Sequence, residues 1–119
     1  MSETAPLKPL VKVSLVGDSQ TPVLNFEIER LLIGIRELGS LNAAAHTCGI
    51  AYSRAWRLIK NAESELGGTL IDRNGVYGST LTAQGEQLLD AYAFLRARIE
   101  AFAAEQTSLA LAQFSLHAQ

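Results

Sequence analysis

Cysteine, histidine and net positive charge are all scarce in this chain, and each shortage removes a class of function. A single cysteine, Cys48, excludes an intramolecular disulfide. With only His46 and His117 beside it, a Cys/His metal site cannot be assembled. Cys48 stands next to a candidate turn, where a small buried apolar role is expected. No apolar run reaches membrane-spanning length, and the N-terminal MSETAPLKPL lacks the apolar core of a signal peptide. The expected location is therefore cytoplasmic, with no membrane partner. Enzyme chemistry is also poorly supplied. There is no acid/base carboxylate pair, no nucleophile beside a base and no phosphate-cradling glycine loop, so no catalytic residue and no cofactor is expected. The formal charge of −2 and pI of about 5.6 exclude a protein that coats nucleic acid by bulk charge.

What is present is enough for one modest core. The chain has 119 residues, 48% hydrophobic and 18% charged, which is globular composition and the size of one domain. Its charge is unevenly spread. Between Glu37 and Glu63 there is no Asp or Glu, while Arg54, Arg57 and Lys60 all lie there. A local basic patch on an acidic protein fits contact with a polyanion at one surface.

That patch lies in residues 39–65, GSLNAAAHTCGIAYSRAWRLIKNAESE. Ala45, then Gly49 and Ile50, supply what a helix-turn-helix needs: a small residue where helices cross, a glycine for the turn and an apolar plug for the corner. The helix before the turn spans about 41–47, with Ser40 as its cap. The helix after it spans about 52–65, with Ala55, Ile59, Ala62 and Leu66 on one face. Tyr52, Ser53, Arg54, Arg57 and Lys60 are left on the outside.

Elements on both sides complete a pattern. Residues 1–9 read as a frayed arm, Leu10–Val16 as a strand with partial alternation, and Gly17 to Pro22 as a loop. Asn25 caps a first helix over about 26–38, built on Ile28, Leu31, Leu32, Ile35 and Leu38. After Gly67-Gly68, the TLIDR stretch, the turn residues Asn74, Gly75 and Gly78, and Thr80-Leu81 make a β-hairpin. A hairpin directly after a helix-turn-helix is the wing of a winged helix. Thr82 caps a long helix over 83–105. Its Leu88, Tyr92, Leu95, Ile99 and Phe102 step by four, three, four and three residues, a coiled-coil seam. A helix of roughly 22 residues spans about 33 Å, longer than so small a domain covers, so the seam is expected to meet a second copy rather than the first helix. Residues 107–119 are left as a tail, and 10–106 as one unit. The fold class is mainly α with a small β wing.

The stretches ELGSLNAAA (37–45), IKNAESEL followed by Gly67, LIDR (70–73) and LTAQGEQLL (81–89) resemble the winged-helix domains of LysR-type bacterial regulators. GIAYSRAWRLI (49–59), the preceding strand and the FSLHAQ tail are similar to the N-terminal domain of ModE-type, molybdate-responsive regulators. The resemblance implies a sequence-specific transcriptional regulator that binds double-stranded DNA. Two departures stand out. Ala51 replaces the serine that often caps the recognition helix, a cap typically worth about 1 kcal/mol. The chain also stops where ModE regulators continue into oxyanion-binding domains, so no small-molecule effector is assigned.

On this reading Tyr52, Ser53, Arg54 and Arg57 face base edges, and Arg54 or Arg57 is suited to paired hydrogen bonds with guanine. Lys60 is placed near phosphate or near nothing. Ser40, and Arg73, Asn74, Tyr77 and Ser79 of the wing, are placed near the DNA backbone or minor groove. Arg73 has alternatives in Asp72 and Glu86. Trp56 is expected to pack in the core rather than stack on a base. A two-fold dimer through the long helix would read a roughly palindromic site. The rival class is a winged-helix protein-interaction module whose basic helix meets an acidic partner.

Overall fold

The computed structural model describes residues 7–73 and 78–114. Eight elements follow one another: β1 (Leu15–Val16), β2 (Pro22–Leu24), α1 (Phe26–Leu38), α2 (Leu41–Cys48), α3 (Tyr52–Leu66), β3 (Ile71–Arg73), β4 (Ser79–Leu81) and α4 (Ala83–Ala112). The helix starts are set by the residues expected to set them. Asn25 Oδ1 accepts from Ile28 N–H at 2.8 Å, Ser40 Oγ from Ala43 N–H at 2.9 Å and Thr82 Oγ1 from Gly85 N–H at 2.9 Å. Ala51 gives α3 no such bond, as its side chain dictates. Between α2 and α3, Gly49 takes φ 71° and Ile50 N–H bonds back to Ala45 O at 2.9 Å, which closes the helix-turn-helix corner.

The three short helices enclose one core. Leu24, Ile28, Leu31, Leu32, Ala44, Ala55, Ile59, Leu70 and Tyr92 are all wholly buried in it. α1 and α2 cross so closely that a β-carbon on Gly34 would stand 2.7 Å from Ala44 Cβ. Two antiparallel pairs flank this core, β1 with β2 and β3 with β4. The second pair, in register Ile71 to Leu81, Asp72 to Thr80 and Arg73 to Ser79, is the expected wing.

The N-terminal strand is shorter than its alternation suggests. Only Leu15–Val16 pairs, against Pro22–Leu24, a strand that begins at the last residue of the expected loop. Residues 11–14 alternate between half-buried and exposed without a ladder partner. Val13 O instead accepts a hydrogen bond from Tyr92 Oη at 2.8 Å. The alternation thus reflects packing on helices rather than strand pairing.

The largest difference lies in α4. It runs to Ala112 rather than Glu105, 30 residues or about 45 Å of helix in a molecule 58 Å long. Its seam also divides. Tyr92 is wholly buried in this chain's own core and so serves the fold, while Leu88 is half-buried against that core. Leu95, Phe102 and Leu109 stay exposed at 37%, 63% and 59%, spaced by seven residues, with Ile99 half-buried between the first two. Glu29, 4% exposed on α1, ties α4 down through a 2.9 Å ion pair with Arg96. That hydrogen bond raises the Arg96 pKa further.

Candidate nucleic-acid interface

The exposed face of α3 carries the basic patch, but its charges are not equally free. Arg54 is held by the Glu27 carboxylate of α1 in a short charge-assisted hydrogen bond, which raises the guanidinium pKa. Lys60 Nζ lies 3.4 Å from Glu63 Oε1, one turn along the same helix. Among the described residues, Arg57 alone of the three has no carboxylate partner. Ser53 and Tyr52 are exposed beside it at the first turn.

The wing meets this face through Arg73. Its Nη1 donates to Tyr52 Oη at 3.4 Å, and its guanidinium carbon sits 5.6 Å from the Trp56 ring centroid. Neither expected alternative partner holds it, since Glu86 pairs with Arg36 at 2.9 Å instead. Trp56 is not a core residue. It is 40% exposed, with Lys60 Nζ 5.8 Å from the ring as well. The period of α3 places Trp56 at the margin of the apolar face, and the wing supplies a cation where the core would have supplied carbon.

Ser40 is half-buried and spends its hydroxyl on the cap of α2. It lines a shallow cavity of about 280 Å³ together with Asn42, Tyr52, Arg73, Gly78 and Ser79. Helix α2 therefore begins beside the root of the wing. The contact is backbone to backbone: Ser79 N–H donates to Gly39 O at 2.8 Å. Gly78 holds φ 94°, and a β-carbon there would stand 2.1 Å from Gly39 O. Asn74 and Tyr77, the other expected wing contacts, lie outside the described residues.

One residue that shapes the face escapes a reading by charge alone. Glu63, 7% exposed, accepts from Leu70 N–H at 2.8 Å and Ile71 N–H at 3.3 Å through Oε2. It pins β3 to α3 and so fixes where Arg73 emerges. The signal was its spacing: four residues after Ile59 and three before Leu66, it occupies an apolar position of the helix. Cys48, expected buried, is half-buried against the core.

Residues 29–86 match the family model of bacterial regulatory helix-turn-helix proteins of the lysR family. The helix-turn-helix unit is of the LysR type. The LysR-type unit is similar to part of a molybdenum transport protein ModE from Herbaspirillum seropedicae, 36% identical over 72 residues. That match covers 57% of this chain and 27% of the relative. A solved LysR family transcriptional regulator is similar over 79% of this chain and 30% of its own, at 29% identity and a TM-score of 0.56. A solved complex of the CbnR DNA-binding domain with DNA is 25% identical, at a TM-score of 0.58, over 72% of this chain and 99% of that domain. The chain thus spans under a third of the longer relatives and nearly all of the isolated domain. No helix among the described residues is long and apolar enough to cross a membrane.

Proposed function

We propose that this LysR-type unit binds double-stranded DNA as the reading head of a ModE-like transcriptional regulator. The observation that carries the reading is a single exposed face on which the first two turns of α3 (Tyr52, Ser53, Arg57) and the wing's Arg73 stand together. An α-helix fits the major groove and its N-terminal residues reach base edges. Arg57, free of carboxylates among the described residues, is the residue suited to paired hydrogen bonds with guanine, and Arg54 joins it once Glu27 releases it. Lys60, Arg73 and the start of α2 at Ser40 face the phosphate backbone. That a similar domain is solved in complex with DNA supports DNA as the partner.

The reading head acts as a homodimer through α4 beyond Tyr92, where exposed Leu95, Phe102 and Leu109 and half-buried Ile99 form the seam. Two-fold symmetry then sets a roughly palindromic operator. Footprinting on genomic fragments selected by the protein tests the proposal. It expects protected half-sites about one helical turn apart and an affinity that falls steeply with salt. A fragment set with no protection and a flat salt response would instead favour a protein partner for the basic helix.

A further inference from the structure

The wing is anchored at β4, where Ser79 N–H donates to Gly39 O at 2.8 Å, but that contact leaves the Arg73 side chain on β3 unfixed. Its two strands pair over three residues, and Arg73 sits at the last described pair, opposite Ser79. A two-stranded ribbon this short is marginal alone, and an arginine side chain carries considerable rotamer freedom. Yet the guanidinium is turned inward onto α3 rather than outward. Tyr52, Trp56 and Lys60 follow one another at four-residue intervals and form one stripe of that helix. Arg73 lies along the stripe, hydrogen-bonded to the Tyr52 hydroxyl and set over the Trp56 ring. The indole is large, exposed and shared with a second cation, Lys60. A ring doing core work would not be placed this way, and an aromatic face next to a guanidinium attracts it.

We infer that Trp56 is a positioning residue for DNA recognition: it holds Arg73 of the wing against α3, so that wing and helix meet DNA as one preorganised surface. The inference rests on the DNA-binding reading and adds a role for a residue that faces the groove without reading bases. Without the ring, Arg73 must be ordered again at each binding event, and affinity falls through Arg73 rather than through contacts of Trp56 itself.

A double-mutant cycle on duplex DNA carrying a selected site tests this. Trp56→Leu is expected to weaken binding about three- to fivefold, the range of an exposed cation–π contact. In an Arg73→Met background the same change is expected to cost nothing further, and Trp56→Phe is expected to restore most of the affinity. NMR of the free protein supplies a readout without DNA: Arg73 side-chain protons are shifted by the indole ring current, and Trp56→Leu removes the shift. An undiminished loss in the Arg73→Met background overturns the inference, because Trp56 would then touch DNA itself. Arg73 resonances that do not respond to loss of the ring overturn it as well. Wild-type protein that binds no duplex under any salt condition overturns the DNA-binding reading first. The ring-current result then still reports whether the contact exists.

Discussion

Replacing Glu63 by alanine should be among the most damaging single changes in this chain, although the residue is a charged side chain on a helix. Its carboxylate is 7% exposed and accepts from two backbone donors, Leu70 N–H at 2.8 Å and Ile71 N–H at 3.3 Å. Leu70 is wholly buried, so water cannot readily replace the acceptor. Each buried donor left unsatisfied costs about 1–3 kcal/mol, and the longer bond belongs at the lower end. The Lys60 ion pair contributes little, because Lys60 is exposed. The expected loss is therefore about 2–4 kcal/mol, a large part of the roughly 5–15 kcal/mol that holds a domain together. Glu63→Gln keeps a carbonyl acceptor in reach of the same donors and should cost about 1 kcal/mol. Urea unfolding followed by circular dichroism, with unchanged slope, measures both. An alanine variant within about 0.5 kcal/mol of wild type, the range of ordinary surface changes, would refute the assigned role of Glu63.

Other consequences are as direct. Glu27→Gln releases Arg54 and should tighten binding to duplex DNA while steepening the log–log salt slope by up to about one unit; an unchanged slope would mean that Arg54 stays off the phosphates. Tyr92→Phe removes the 2.8 Å bond to Val13 O and should cost about 1 kcal/mol in thermal or urea unfolding. Burial raises the Tyr92 phenol above its ordinary pKa. The folded state therefore keeps its proton after the unfolded state has lost it, and stability present below about pH 10 is lost as pH rises through the folded value. The phenylalanine variant should show a shallower alkaline loss. Leu95→Glu combined with Phe102→Glu should give monomers in sedimentation equilibrium with unchanged helix content, whereas a surviving dimer would place the interface elsewhere.

Much of this fold is legible because the signals are local. Asn25, Ser40 and Thr82 cap helices by chemistry that acts over three residues, and Gly39, Gly49 and Gly67 end them in the left-handed conformation. The helix-turn-helix and wing follow from order alone. What escapes is non-local. Residues 11–14 alternate like a strand because they lie on helices, and Pro22 starts β2 because an edge strand tolerates proline at its first residue. The stretch from Thr107 is left as a tail, yet nothing in TSLALA breaks a helix already under way. The site shows the same division. Arg57, Tyr52 and Ser53 are exposed by the helical period. Arg54 and Trp56, by contrast, depend on α1 and the wing, whose approach no spacing within α3 reveals. Glu27 and Arg73 are thus as much a part of the α3 face as its own residues.

Whether α3 reads base edges is decided at Arg57. Affinities of wild type and Arg57→Ala should be measured at one salt concentration, on a selected genomic site and on random duplex. The expected loss is about 1–3 kcal/mol on the selected site and much smaller on random DNA, so that discrimination falls. Equal losses on both would contradict it, reducing Arg57 to a phosphate contact and leaving the face without its reader.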